Sequence, residues 1–528
     1  MRRVMGFTVV LVLISLPGIA FADPWQIAAA NGEQNREAFV RCWRFVHGWL
    51  QHTDPQSGLI PRNLSKDAFW NARDCAADNY PFMVLTTYFT DKSLFEGPMR
   101  QILETEQRVA NRVDRLPDDF LFETQTFRTP EYKLDDIIFG ASEYVKDGLL
   151  PLTELLGPTP WSDRMIALTD DIWKHATYDS EAGKLPALSH EVAGDHMQAL
   201  SRLYWMTGKP EYKQYAFRIG DFFLLHHPPE QEEKLQLDDH GCEVVNGLSE
   251  VYYIASQQDP EKHAQWKAPM HRMLDKILEV ARDENGLLYS RVNPATGEKL
   301  TEDRTDNWGY NYNAFLVVAN ADGEARFRDA VVHVLNNIEK SKDYPWEMKP
   351  STGLGTSDGY ADSIEGCLNL INRVPTPTAE TWIDYSIQKM FAIQRDSGVI
   401  EGWHGDGNFA RTALMYGLWK SQGAYVEPWR ADLRVGAMRD ETGSLYLVVS
   451  SDWPWKGTLR FDIPRHSEYL HIPSDYPRLN QFPEWFTVSA GSVFISEQGE
   501  VTADVLRQGL PIAVTPEQPY RLKLTPKQ

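Results

Sequence analysis

The sequence predicts a mainly α chain, an α/α toroid of six or seven helical hairpins followed by a small C-terminal β-sandwich. Three observations lead there. From about residue 35 to 422, apolar residues recur with the 3.6-residue helical period and strand-like alternation is almost absent. Asp54 to Pro61, Asp179 to Pro186, Asp283 to Tyr289 and Asp396 to Ile400 each follow a helical stretch with Asp, then Gly, then a short apolar piece. These helix stops are spaced by about a hundred residues, too far apart for a short solenoid repeat, and they would deliver the next polar residues to one end of a barrel. Past Gly423 the pattern changes to alternating β-formers divided by Gly, Pro and Asp turns.

Taken in order, residues 1–22 run from Arg2 and Arg3 through an apolar segment to Ala20-Phe-Ala22, the form of a secretory signal. This predicts a secreted or periplasmic protein. No later stretch approaches the ~20 apolar residues of a membrane span, so no membrane partner is expected after signal cleavage. Residues 23–425 form the expected barrel domain, with clear helices from Glu37 to Leu50, Leu94 to Val113, Leu134 to Leu156, His190 to Met206, Gly241 to Ser256 and Tyr360 to Ile371. Residues 426–528 form the expected sandwich, whose stretch Tyr476 to Trp485 reads as a loop that packs on the barrel or binds sugar.

A formal charge of −21 excludes a nucleic-acid partner, which needs a basic footprint. A polyanionic glycan stays in play, since a few arginines focused in a cleft outweigh a distant acidic surface. Cys42, Cys75, Cys242 and Cys367 lack Cys-x-x-Cys spacing and sit beside apolar helical sequence, as buried free thiols do. No metal motif is present and no cofactor is predicted; a structural calcium held by loop carboxylates stays open.

The densest chemistry is Arg304-Thr-Asp-Asn-Trp-Gly-Tyr-Asn-Tyr-Asn313, a cation, amides and aromatic rings at the start of a helix. Cleaving a uronate glycoside by β-elimination needs a group to neutralise the carboxylate, a base for the carbon-5 proton and an acid for the leaving oxygen. Arg304 suits the first task and Tyr310 one of the others, with His240 as the remote partner. Asn79, Tyr80, His196, Glu243, Asn307, Trp308, Tyr312, Trp403, His404 and Arg411 are the expected sugar contacts, because each sits at or near a helix start or offers a stacking ring.

A loop histidine near 240 followed by Arg304 and Tyr310 on a helical barrel resembles the polysaccharide lyases acting on alginate and glucuronan, most closely polysaccharide lyase family 38. The resemblance implies an α/α barrel and an acidic polysaccharide substrate. It also implies that His240 is neutraliser or base, Arg304 binds and stabilises, and Tyr310 is acid or base. Asp239 departs from the pattern, standing where related lyases often carry Asn. The first alternative is an α/α-barrel glycoside hydrolase acting on uronic-acid glycans with a carboxylate pair, drawn from Glu191, Glu243, Asp358, Glu365, Glu401 and Asp406. The second is a non-catalytic glycan-binding protein.

Overall fold

Asp23 caps the first helix, Pro24–Leu50, by accepting from the Trp25 amide, with proline in the first turn where its missing N–H costs nothing. The computed structural model describes residues 23–64, 68–346 and 357–527. The expected signal segment lies outside the described residues, as do residues 353–356 of the loop before Asp358.

Among the described residues seven helices form an inner ring: Tyr80–Thr90, the composite element from Leu134 to Leu156, His190–Thr207, Cys242–Gln258, Trp308–Asp322, Asp358–Arg373 and Asn408–Lys420. Each packs on the next, and Asn408–Lys420 returns to Tyr80–Thr90 and Pro24–Leu50, so the ring closes. The toroid is therefore closed and not an open solenoid. Outer helices such as Pro160–Lys174, Pro210–Asp221, Pro260–Val280, Ala325–Asn337 and Pro377–Ile393 complete the hairpins. Ring helices bury nearly every face: Trp308 through Ala319 and all of Asn408–Lys420 are buried. A helix covered all round carries no amphipathic period, which is why periodicity marks the outer helices more sharply than the inner ones.

Two ring elements depart from regular α geometry. Ala72–Asn79 and Tyr144–Leu149 are π-helical and pack against each other. They come close at Gly148, where an added Cβ would lie 2.5 Å from the Ala76 carbonyl oxygen. π-Turns recur at functional sites, where the extra residue redirects side chains. The loops between helices also hold short strands that the sequence pattern does not show, such as Phe69–Trp70 paired with Phe120–Leu121 and that in turn with Thr126–Phe127.

The C-terminal sheets are antiparallel. One has the order Gly499–Thr502, Val493–Ser496, Tyr520–Pro526, Leu445–Ser450, Arg434–Arg439; the other has Leu510–Val514, Trp455–Arg460, Tyr425–Glu427. The expected boundary after residue 425 falls inside that last strand. Leu447, Val449, Leu459, Phe494 and Leu524 lie in the core between the sheets. All four cysteines are free and buried.

The first helix also packs on the sandwich. Gly436 faces it, and a Cβ there would lie 1.9 Å from the Ala28 carbonyl oxygen. Overpacking of this kind costs about 1–3 kcal/mol. Gly436→Ala is expected to lower the urea midpoint of unfolding, read by circular dichroism, with the far-UV spectrum unchanged in shape.

The irregular stretch between Tyr469 and Trp485 leaves the sandwich and enters the barrel from the C-terminal ends of the ring helices. Arg478 is fully buried and forks onto Glu154 at 2.7 and 3.0 Å. Arg202 pairs with Glu250 and donates to the Leu479 carbonyl at 2.7 Å. This strap closes that mouth of the barrel. The segment expected to pack on the barrel or to bind sugar packs on it, and its Leu479 also lines the cavity at the other mouth.

Candidate active site

The opposite mouth, where the ring helices begin, opens into a cavity of about 260 Å³. Its wall takes Arg73, Asp74 and Asp78 from the first π-helical turn, and Phe139, Glu143, Lys146 and Asp147 from the element that contains the second. Glu191, His240, Glu243, Asn307, Tyr310, Asp358, Asp362, Asn408 and Arg411 come from the starts of the remaining ring helices, Trp403 and His404 from a loop, and Leu479 from the strap. The convergence follows from the topology, since every ring helix presents its N-terminal end to the same mouth.

Seven of the residues expected from the sequence meet here: His240, Tyr310, Glu243, Asn307, Trp403, His404 and Arg411. Arg304 lies in an adjoining cavity that shares Asp239, His240, Asn307, Asp358 and Asp362 with the first. Its guanidinium donates to Asp283 Oδ2 at 3.1 Å and lies 4.2 Å from the centre of the Tyr289 ring. Arg304 is thus placed along an extension of the cleft, already engaged with a carboxylate.

Five others do not line the cavity, a correction to the expectation that they touch sugar. The Tyr80 hydroxyl donates to the Met99 carbonyl at 2.7 Å and accepts from Trp161 Nε1 at 2.7 Å inside the core. His196 is buried, accepts from Trp173 at Nδ1 and lies 3.2 Å from Ser142 Oγ at Nε2; burial pulls it down to about 3, so it is neutral. Trp308 donates to Ser363 Oγ at 2.7 Å and Tyr312 to the Gly286 carbonyl at 2.6 Å, both fully buried. Asn79 is packed beneath Gly405. The shared reason is that a helix turns one face to the mouth and the residues off that face into the wall.

The expected catalytic pair is also held differently from a free acid and base. The Tyr310 hydroxyl lies 2.7 Å from Glu365 Oε2 and 3.0 Å from Asp362 Oδ1, and accepts from Arg411 at 3.2 Å. Burial pushes its ionisation well above the usual phenol range, opposed by the Arg411 charge and helped by Asp362 and Glu365. His240 sits in a left-handed backbone conformation at φ 68° and contacts Glu191 through Nδ1 and Asp239 through Nε2, the latter at 3.3 Å. Partial burial opposes its charge, but the bond to Glu191 and the field of Asp239 raise it to about 9. It is an imidazolium at neutral pH.

Two carboxyls that the sequence reading passed over as catalysts are driven in opposite directions. Burial and the charges of Asp147, Asp74 and Asp358 push Asp78 well above the usual carboxylate range. Asp147 is half-buried, which opposes its charge, but the ammonium of Lys146 at 2.8 Å and the hydrogen bonds it receives hold it below that range. Glu143 is raised as well, by burial and by Asp195 and Glu191, and hydrogen bonds with Glu191 and Asp147 engage it. Of the hydrolase candidates, Glu191, Glu243 and Asp358 line the cavity. Glu365 is buried against Tyr310 and Arg411, Glu401 takes the Leu64 amide and Arg395, and Asp406 holds Ser357 at 2.6 Å.

Asp147 lies in mid-helix, away from any loop motif, so no capping or turn signal marks it. The available signal was Lys146-Asp147 set in the apolar run from Tyr144 to Leu150, a charged pair that a ring helix has to bury for a purpose. Of three groups among the described residues that could take a cation, two border this cavity: Asp74 with Asp78 and His404, and Glu143 with Glu191 and His240, each with ligand atoms within 4.8 Å of one another; the third, His466 with Asp475 and Glu484, lies elsewhere.

No family model and no curated protein matches the chain. Solved structures similar to it include an unsaturated glucuronyl hydrolase from Bacillus sp. GL1 (11% identity, 55% of this chain and 88% of that one, TM-score 0.38). Others are an α-1,6-mannanase of Salegentibacter sp. HEL1_6 (11%, 72% and 98%, 0.38) and a cellobiose 2-epimerase from Bacillus thermoamylovorans (13%, 52% and 84%, 0.37). All three likenesses are distant.

Proposed function

We propose that the chain is a glycan-active enzyme that hydrolyses a glycosidic bond, with Asp78 as the acid and Asp147 as the charged partner. What carries this is the placement of Asp78 and Asp147 on two π-helical turns that pack together and line one cavity, where burial and neighbouring carboxylates favour a protonated Asp78 and the Lys146 ammonium at 2.8 Å favours a charged Asp147. Environments that drive two acids apart in this way assign the roles of a glycosidase pair. Asp78 gives its proton to the leaving oxygen. Asp147 acts on the opposite side of the bond, as base toward water or as nucleophile, and the anomer released first distinguishes these.

A sugar suits the wall. Trp403 is 37% exposed and presents a ring for an apolar sugar face, while carboxylates and amides around it match hydroxyl groups. Among the cavity cations, Lys146 and Arg411 are drawn into carboxylate pairs, whereas the Arg73 guanidinium lies over the Phe139 ring at 5.5 Å. We assign Arg73 to a uronate carboxylate on the substrate.

β-Elimination, the reaction implied by the family resemblance, is less well supported. Tyr310 is tied to two carboxyls, His240 is already engaged by Glu191 and Asp239, and Arg304 is already paired. The deciding experiment incubates the purified protein with glucuronan, alginate and other uronic-acid glycans, following reducing ends and unsaturated-uronate absorbance together. Reducing ends without that absorbance are expected; a matched rise in absorbance means elimination and sinks the hydrolytic reading.

Tyr310→Phe gives an independent check. Loss of the hydroxyl removes one donor shared by Glu365 and Asp362, which keep Arg411 and the donors Asn480 N–H and Asn307 Nδ2, and is expected to cost about 1–3 kcal/mol of stability. Turnover is expected to stay within about tenfold of wild type. A loss of about 10²–10⁴-fold would instead be the mark of an acid or base.

A further inference from the structure

We propose that Asn480, at the tip of the strap sent into the barrel by the sandwich, is a positioning residue for Asp147. The two domains are then one catalytic unit. The inference rests on the hydrolytic reading and assigns a task to a part of the chain that reading does not use.

Asn480 is fully buried and sits in a left-handed conformation at φ 60°, which asparagine tolerates better than most residues. Its Nδ2 group donates to Asp147 Oδ1 at 3.0 Å and to the Lys146 carbonyl at 3.1 Å. Lys146 Nζ reaches the same Asp147 oxygen at 2.8 Å. Two donors of different origin therefore converge on Oδ1, one from the ring helix itself and one from the other domain. They fix the rotation of the carboxylate and favour its charged form. The Asn480 backbone N–H donates to Glu365 Oε1 at 3.0 Å, and Glu365 in turn holds Tyr310 and Arg411. A single residue thus spans the cavity floor from Asp147 to the opposite wall, beside Leu479, which lines the cavity directly.

Anchoring alone does not account for this arrangement. The strap is already fastened by the Arg478–Glu154 fork, by Arg202 on the Leu479 carbonyl and by Arg373 on Asp475 at 2.6 Å. An apolar tip would fill the same floor. A neutral amide that donates to a carboxylate of the site instead sets where that carboxylate points and when it ionises.

The test uses the full-length protein and the pH profile of kcat/KM on the glycan that it hydrolyses. Asn480→Ala is expected to move the acid limb upward by about one pH unit and to lower kcat about tenfold, with KM within about twofold, because one donor to the charged form is gone. Asn480→Asp keeps the size of the side chain but sets a second carboxyl against Asp147, so its acid limb is expected to move further up. It serves as the second variant if the alanine form does not fold. In an Asp147→Asn background, Asn480→Ala is expected to leave the residual rate unchanged, since residues acting through one group are not additive.

An unshifted acid limb in both Asn480 variants, or an undiminished effect of Asn480→Ala in the Asp147→Asn background, overturns the inference while Asp147 keeps its role. Wild-type turnover in Asp147→Asn itself overturns the hydrolytic assignment, and the inference with it.

Discussion

Asp147→Asn is expected to lower kcat by about 10²–10⁴-fold, the range that a positioned acid or base supplies. The amide keeps the size of the side chain, and Lys146 retains Glu243 at 2.6 Å, so the wall is expected to stay intact. Steady-state kinetics with circular dichroism as a control checks it; turnover close to wild type would remove Asp147 from the reaction. The wild-type profile is expected to be bell-shaped. Its acid limb lies below the usual carboxylate range because Asp147 is depressed, and its basic limb well above that range because Asp78 is raised. Stability follows opposite signs at the two sites. Asp147, lowered in the folded state, stabilises above its unfolded value, and that contribution is lost as pH falls through its folded value. Asp78, raised by burial, opposes folding once pH exceeds its unfolded value. Asp78→Asn is therefore expected to melt above wild type at neutral pH while losing activity, the trade expected where a strained group serves the chemistry.

Glu154→Ala is expected to cost about 3–5 kcal/mol, the largest stability effect among these substitutions, because it takes the forked carboxylate from a fully buried arginine. Glu154 is 1% exposed, takes the Arg478 fork, and has Arg202 Nη1 3.5 Å away. Arg202 keeps Glu250, whereas Arg478 keeps only Asp475 at 2.9 Å and a backbone carbonyl. The penalty therefore falls on the strap. Unfolding in urea followed by tryptophan fluorescence checks it, and a midpoint unchanged from wild type would mean that the strap is not fastened there. Burial opposes the charge of Glu154, but Arg478 and Arg202 hold it below the usual range. Its stabilisation is thus present above the unfolded value and is lost as pH falls through the folded one. Glu154→Gln is accordingly expected to show a weaker loss of stability in acid than wild type.

Both effects start from residues that look ordinary in the sequence. Glu154 stands in the apolar run Leu149 to Leu156, and Asp147 in the run before it. The loop clusters around His240, Asn307 to Tyr310 and His404 to Arg411 were legible as a site because polar and aromatic residues gathered at helix starts, and the closed ring brings those starts together. Position at a helix start did not tell which side chain faces the mouth. Trp308 and Tyr310 are two residues apart, yet one ring closes the core and the other hydroxyl reaches the cavity wall. Two residues along a helix is about 200° of rotation.

What the sequence determined by itself is the local pattern: a helical series with Asp-Gly stops, a change to β-forming sequence past Gly423, and a set of polar helix starts. Those follow from short-range periodicity and capping, which neighbouring residues dictate. The tertiary structure alone decided three further things. It showed that the ring closes, that two π-helical turns meet at Gly148 beside Asp78 and Asp147, and that the second domain reaches through the barrel to set Asn480 against Asp147. The physical reason is distance along the chain. Asn480 and Asp147 are separated by 333 positions, and the ionisation of a carboxyl depends on the burial and charges that such remote segments bring to it.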